Sequence, residues 1–230
     1  MSKDILRRPA SDKKIEKSYS KFSEIYSFFY KFPSFLNKKK ISMLDIKGGE
    51  KILEIGVGPG YDFIDIAKLV GEEGEVHGID ISKEMVDKTQ RRVARKNLES
   101  RAEVIKGDAR DLPYPDNSFD IVYASEVFSI LREEEIKIVL EEVRRVLKEN
   151  GRIAVYDSLK DQCEGSLTIK IYELFYKYFH LNNMFGTRPI YLKKSLSETG
   201  YKVINSRTFR FRSFSILPVK ILIGTVQESD

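Results

Sequence analysis

Cysteine and histidine are scarce in this sequence, and tryptophan is absent. The 230 residues include one cysteine, Cys163, and two histidines, which excludes an internal disulfide and a multi-cysteine metal cluster, so we expect no metal site. No apolar run approaches the roughly 18 residues that cross a bilayer, and the polar N-terminus lacks the apolar segment of a signal peptide. We therefore expect a protein of the reducing, cytoplasmic compartment.

Charges of both signs are abundant and interleaved. The chain has 40 lysines and arginines against 35 aspartates and glutamates, a formal net charge of +5. Such mixing is typical of solvated faces rather than of a continuous basic track, so we expect no nucleic-acid partner. The run Lys38–Lys40 is a local exception. Because it follows the aromatic stretch Phe28–Phe35, it would allow a transient contact with a membrane surface.

Between residues 51 and 156, β-branched segments alternate with segments of helical periodicity. The predicted strands are Lys51–Ile55, Glu75–Ile79, Ala102–Ile105, Phe119–Ala124 and Arg152–Tyr156. The predicted helices are Tyr61–Val70 with Leu69 on its apolar face, a second that Ser82 caps, and Glu133–Lys148, which Gly151 ends. This spacing predicts a parallel sheet with right-handed crossovers.

The alternation stops after residue 157. Helical patterns cover Leu167–Phe185 and Tyr191–Ser197, and a short link joins two closing strands, Tyr201–Arg207 and Ile216–Val226. A hairpin of this kind adds one antiparallel strand. We therefore predict an α/β fold with a doubly wound, seven-stranded, mostly parallel sheet. A single domain would comprise a helical cap (1–45), a core (46–160), lid helices (161–200) and closing strands (201–230).

A glycine-rich turn follows the first predicted strand. Gly56, Gly58 and Gly60 stand at every second position, where the missing Cβ atoms permit positive φ and let a ligand lie on the backbone. Open α/β sheets bind ligands at the carboxyl ends of strands, where this turn belongs. A dinucleotide-binding turn would have its third glycine at position 61, which is Tyr61. The spacing therefore favours S-adenosylmethionine (SAM) over NAD.

Three carboxylates end successive predicted strands. Asp80 can accept the hydroxyl protons of a ribose, and Asp108 can accept from the exocyclic amine of adenine while the Ala109 N–H donates to the ring. Each acid taken alone also suits a helix cap or a turn. Together with Glu54, they would repel phosphates and attract a ligand that carries a sulfonium and an ammonium.

The ordered motifs resemble those of class I SAM-dependent methyltransferases, which have a Rossmann-like fold. The resemblance is greatest to the ubiquinone/menaquinone-biosynthesis (UbiE-like) small-molecule group. The matching segments are ILEIGVGPG, GIDIS, GDARDLPYPDNSFDIV and RRVLKENGRIAV, over about residues 50–157. The run Tyr19–Tyr26 also resembles an N-terminal segment of that group, but Ser20 and Ser27 replace its acids.

The resemblance implies SAM as the cofactor and suggests roles around it. Asp80 would hold the ribose, Asp108 and Ala109 would read the adenine edge, and Ile81 or Met85 would cover the adenine. The residues expected around the methionine part are Glu54, Gly56, Gly58, Gly60 and Ser125, with Tyr19 closing over the cofactor.

The acceptor side carries no motif of its own. Methyl transfer from a sulfonium requires proximity and orientation, and a general base is optional. The candidate catalytic groups are Glu126 and Asp157, after the fourth and fifth strands, and His180 in the following helix. Glu126 is preferred, because a lone histidine among aromatic residues is more often a packed one. Alternation places Tyr123 in the core.

Aromatic residues cluster outside the alternating core. Eight of the 26 lie in Tyr19–Phe35 and seven in Tyr172–Tyr191, which predicts an aromatic-rich helical lid, although ordinary helix packing explains many of them. We therefore expect a small apolar or aromatic methyl acceptor, quinone-like or lipid-like. A phospholipid or amine N-methyltransferase, a nicotinamide-dependent oxidoreductase and a non-catalytic SAM-binding protein stay open as alternatives.

Overall fold

The computed structural model describes residues 34–159, 190–209 and 219–227. Tyr19, His180, the predicted helix Leu167–Phe185 and most of the two aromatic segments lie outside the described residues. The predicted aromatic-rich lid therefore stays a prediction.

The described residues form seven strands and five α-helices. The strands are β1 (Lys51–Ile55), β2 (Glu75–Asp80), β3 (Ala102–Lys106), β4 (Phe119–Ser125), β5 (Leu147–Ser158), β6 (Tyr201–Phe209) and β7 (Val219–Val226). The helices are α1 (Ser34–Ser42), α2 (Tyr61–Leu69), α3 (Lys83–Arg95), α4 (Glu133–Val146) and α5 (Leu192–Glu198), with a 3₁₀ turn at Phe128–Ile130. Among the helices that the structure describes, we find none with the length and apolar content to span a bilayer.

The strands form one sheet in the order β3-β2-β1-β4-β5-β7-β6. Neighbours from β3 to β5 are parallel, and β7 runs antiparallel to both β5 and β6. The predicted mostly parallel sheet with one antiparallel strand is confirmed. The chain reverses its direction of winding between β1 and β4, which makes the carboxyl ends of these two strands the expected place for a ligand.

Both faces of the sheet are covered, as a parallel sheet requires. Along β4, Ile121 and Tyr123 point to one core, which α1, α2 and α3 cover, while Val122 and Ala124 point to a second core under α4 and α5. All four side chains are buried. The same alternation sends Glu54 of β1 to the α1–α3 side, because it has the parity of Ile52.

Two predicted helix details are confirmed at α2 and α3. The Ser82 hydroxyl accepts the N–H of Met85 at 3.5 Å and so caps α3. Gly71, with φ 77°, follows the end of α2.

Two other details were wrong. Leu69 is 52% exposed, because the buried stripe of α2 runs through Phe63, Ile66, Ala67 and Val70, at the spacing of a helical face. Helix α4 ends at Val146 rather than at the predicted Lys148, because Leu147 already pairs with Phe119 in the sheet.

Candidate functional site

The turn between β1 and α2 has backbone conformations that suit glycine. Gly56, Gly58 and Gly60 have φ values of 69°, 51° and 78°. A Cβ at Gly60 would lie 2.6 Å from the Thr89 hydroxyl, whereas a Cβ at Gly58 would meet nothing within 4 Å among the described atoms. The turn is therefore packed against α3 on one side and open beside Gly58, where a ligand can approach the backbone.

Thr89 supports this turn from α3, and the sequence analysis missed it. Its side chain is fully buried, and its hydroxyl donates to the Gly58 carbonyl at 3.0 Å. Thr89 could have been recognised from the sequence, because it is a polar residue on the same helical face as Met85 and Val93, where a buried hydroxyl needs a hydrogen-bond partner.

Asp80 ties the end of β2 to the same turn. One carboxylate oxygen accepts the Gly58 N–H at 2.9 Å, and the other accepts the Ser82 N–H at 2.8 Å. Burial raises the pKa of Asp80, and the two N–H donors only partly offset that rise. Each oxygen has a further lone pair, so the carboxylate can still accept from two ribose hydroxyls.

The two residues considered for covering an adenine differ in exposure. Ile81 is half-buried and retains accessible surface, whereas Met85 is 2% exposed within the packed face of α3. A side chain that lies on a ligand must present free surface before the ligand arrives. Ile81 is therefore better placed than Met85.

Asp108 has a partner that the sequence analysis did not foresee. The Arg110 guanidinium donates to its carboxylate at 2.5–3.0 Å and reaches Glu135 of α4 at 2.6 Å. Burial raises the pKa of Asp108, but the Arg110 side-chain and backbone donors outweigh that effect, and the pKa lies below its usual value. Asp108 is thus ionised, and an adenine amine would share it with Arg110. Ala109 lies beside it, partly buried.

Glu54 is a buried carboxylate with an unused acceptor. The residue is 2% exposed, and its Oε2 has no hydrogen-bond partner within the described part of the chain. Burial raises the pKa of Glu54 well above its usual value. Asp62 and Asp80 raise it further, and Lys40 lowers it. A buried carboxylate of this kind gains most from a cationic ligand.

A polar cluster around Glu54 includes three residues that the sequence analysis did not assign to the site. Lys40 of α1 is 3% exposed, forms a 2.5 Å ion pair with Asp62 and donates to the Ser125 hydroxyl at 3.2 Å. Tyr123 is fully buried, as predicted, but its hydroxyl donates to Asp62 at 2.9 Å. The contact with Lys40 places Ser125 in this cluster, while its role at the methionine part of SAM stays a prediction. Asp62 could have been recognised as a candidate from the sequence, because it is an acidic residue within the apolar face of α2.

These residues fit SAM, which carries an adenosine, a sulfonium and an ammonium. The N–H of Gly58 donates to Asp80 at the end of β2, and Glu54 lies in the neighbouring strand β1, so the three residues lie at one edge of the sheet. A family model described as a methyltransferase domain matches residues 52–151, which run from β1 into β5. The chain therefore contains a methyltransferase domain. Its cofactor is SAM.

The methyltransferase has named relatives in bacteria. It is 35% identical over 121 residues to a demethylmenaquinone methyltransferase of Lactobacillus johnsonii, an alignment covering 53% of this chain and 49% of that one. The chain thus matches about half the length of that relative. It is 29% identical over 196 residues to a demethylmenaquinone methyltransferase of Listeria monocytogenes, with 85% and 78% covered. A SAM-dependent methyltransferase from Aquifex aeolicus has the same fold, with TM-score 0.61, 24% identity and 83% and 89% coverage.

Glu126, predicted to face the methyl acceptor, follows β4 directly. Its φ of 57° lies in the left-handed region, and its N–H donates to the Tyr156 carbonyl at 2.7 Å. Strained non-glycine residues of this kind cluster at functional sites. The structure thus holds the half-buried Glu126 side chain at the carboxyl edge of the sheet, beside Ser125.

Asp157 lies elsewhere. It is fully buried, and its carboxylate accepts the Ser129 N–H at 2.9 Å. Because Tyr156 points to the α1–α3 core, alternation sends Asp157 to the α4 side of the sheet. Asp157 therefore lies on the opposite face of the sheet from Glu54, and its predicted role towards the methyl acceptor stays a prediction.

Proposed function

We propose that this methyltransferase passes the methyl group of SAM to a small apolar or aromatic acceptor of the quinone-like class. The observation that carries the acceptor class is the similarity to the two demethylmenaquinone methyltransferases, one of which aligns with 85% of this chain. The carboxyl groups of Glu54 and Asp80, with charges of both signs around Glu54, support SAM as the cofactor in this proposal.

The proposed residue roles are those that the family resemblance implies, and the positions described above support them. Glu54 holds the ammonium of the methionine part, and Ser125 lines the same end. Asp80 holds the ribose hydroxyls, Asp108 and Ala109 read the adenine edge, and Ile81 covers the ring. Tyr19, in the N-terminal segment, is proposed to close over the site.

SAM supplies an electrophilic methyl group on a sulfonium. Transfer to a neutral acceptor replaces an acceptor proton, which has to leave. Glu126 is proposed to take that proton, because it stands at the edge of β4 in a fixed, strained backbone conformation. Asp157 is a weaker candidate because of its buried contact with Ser129, and His180 stays a proposal from the sequence.

The test is a transfer assay with methyl-labelled SAM and three acceptor pools. These are a demethylated naphthoquinol in detergent, phosphatidylethanolamine vesicles and small aliphatic amines. We expect label in the naphthoquinol alone. Label in the vesicles or the amines without label in the naphthoquinol would contradict the acceptor class. Tight SAM binding without transfer to any pool would favour a non-catalytic protein, and NADH binding would favour an oxidoreductase.

Glu126→Gln tests the proton acceptor. We expect kcat to fall by about 10²-fold or more, the usual scale for a lost general base, with SAM affinity unchanged. Glu134→Gln, at an exposed acid of α4, is the matched control and should leave kcat as it is. Equal losses in kcat and SAM affinity for Glu126→Gln would remove Glu126 from the acceptor side.

A further inference from the structure

The cluster under the glycine turn contains two buried carboxylates and one ammonium. Glu54 of β1 and Asp62 of α2 are 2% and 5% exposed, and Lys40 of α1 is 3% exposed. Lys40 pairs with Asp62 at 2.5 Å, donates to Ser125 and lies 4.7 Å from the centre of the Tyr156 ring. These contacts occupy the Lys40 ammonium on the Asp62 side of the cluster.

Among the described residues, this cluster has more buried carboxylates than cations and also has hydrogen-bond acceptors without a donor. Oε2 of Glu54 and Oδ1 of Asp62 are buried and have no hydrogen-bond partner among residues 34–159, 190–209 and 219–227. Two buried carboxylates with a single cation are unfavourable unless one binds a proton or a second cation arrives. A ligand ammonium would be that second cation.

We propose that Lys40 is a positioning residue of the cofactor site: by neutralising Asp62 and holding Ser125, it reserves Glu54 for the ammonium of SAM, and binding of SAM expels a proton from Glu54. This rests on the proposed role of Glu54. The proposal adds Lys40 of α1 to the cofactor site, and it makes the affinity for SAM depend on the protonation of Glu54.

The charged and titratable groups that act on Glu54 come from four elements. Asp62 on α2 and Asp80 on β2 raise its pKa in addition to burial, and Lys40 on α1 lowers it. Tyr123 on β4 is neutral, because burial raises its own pKa well above the usual value. Removing Lys40 should therefore make Glu54 hold its proton more strongly. Removing the Asp62 charge should do the opposite and free Lys40 to pair with Glu54.

The experiment is titration calorimetry of SAM at pH 7 in buffers of different ionisation enthalpy, which gives both the Kd and the number of protons released. We expect Lys40→Met to weaken SAM binding about tenfold, since a nearby opposite charge shifts a carboxyl pKa by about one unit or more, and to release more protons than the unmodified protein. Asp62→Asn should also weaken binding, because Lys40 then competes for Glu54, but should release fewer protons. The double variant should return towards the unmodified protein in both quantities.

The control ligand is 5′-methylthioadenosine, which keeps the adenosine but lacks the amino acid part. Its affinity and proton count should be the same with Lys40→Met as with the unmodified protein. If Lys40→Met weakens both ligands equally with an unchanged proton count, Lys40 only anchors α1 and the proposal is overturned. Asp62→Asn keeps Lys40 and so tests the idea if Lys40→Met does not fold. If the proposed role of Glu54 is wrong, Glu54→Gln will bind SAM as tightly as the unmodified protein, which distinguishes that outcome from a failure of the Lys40 proposal.

Discussion

Asp80→Asn separates the structural and the ligand-binding roles of one carboxylate. In the protein each Asp80 oxygen accepts one backbone N–H, from Gly58 and from Ser82. An asparagine oxygen can replace one of these acceptors, but its NH₂ group then faces the other N–H. One buried donor is thus left without its partner, at a cost of about 1–3 kcal/mol in the free energy of unfolding. Part of this cost is offset, because burial of the charge, which raises the pKa of Asp80, is no longer required.

The effect on the ligand is separate and is measured on folded protein. Hydrogen bonds to a charged group contribute about 1.5–3 kcal/mol, so SAM binding should weaken by roughly 10- to 150-fold. Because 5′-methylthioadenosine has the same ribose as SAM, its binding should weaken by a similar factor. The matched control is Asp87→Asn on α3, which removes a charge paired with Lys83 at 2.8 Å on the protein surface.

Calorimetric titration of both ligands, with thermal unfolding of each variant, distinguishes these effects. If Asp80→Asn is folded and binds SAM within about twofold of Asp87→Asn, the ribose role is wrong. The two backbone bonds would then be the whole function of Asp80.

Three further predictions concern the turn and the adenine edge. Gly58→Ala and Gly49→Ala both force alanine into a left-handed conformation without a steric contact, so each variant should lose about 1–2 kcal/mol of stability. Only Gly58→Ala should also abolish tight SAM binding. Equal SAM binding by both variants would refute the idea that the ligand lies on the Gly58 backbone. Thr89→Val removes the bond to the Gly58 carbonyl and should lower the Tm by roughly 2–4 °C, as a loss of about 1 kcal/mol does in a protein of this size; an unchanged Tm would contradict it. Asp108 has a lowered pKa, so its stabilising effect is present above the unfolded pKa of about 4 and is lost as pH falls through the folded value. Arg110→Met should therefore reduce the stability difference between pH 7 and pH 3, by no more than about 1 kcal/mol because the pair is partly exposed; an unchanged difference in chemical denaturation would count against the pair.

The sheet could be predicted because its signals are local. Alternating β-branched strands and helices, together with a closing hairpin, lead to a mostly parallel sheet with one antiparallel strand through general rules of α/β winding. The cap at Ser82 and the glycine turn were also visible, because each depends on residues within a few positions of one another.

The buried polar cluster around Glu54 could not be predicted in the same way. Lys40 lies in a basic run for which the sequence suggested contact with a membrane surface, yet it is buried because α1 packs on α2 and brings its ammonium to Asp62. Likewise, the motif pointed to Asp108 and Ala109 as candidates, but it did not reveal the ion pair between Arg110 and Glu135, which depends on where α4 places Glu135. Contacts between elements distant in the chain decide both cases.

The most direct measurement is the equilibrium binding of SAM to the unmodified protein and to Glu54→Gln, with NADH and 5′-methylthioadenosine alongside. If a buried carboxylate beside an open backbone turn receives the cationic end of the cofactor, the unmodified protein binds SAM and not NADH. Glu54→Gln then loses roughly 10- to 150-fold for SAM, the scale of a charge-assisted hydrogen bond, and almost nothing for 5′-methylthioadenosine. SAM binding that is indifferent to Glu54→Gln, or NADH bound in its place, would contradict the account.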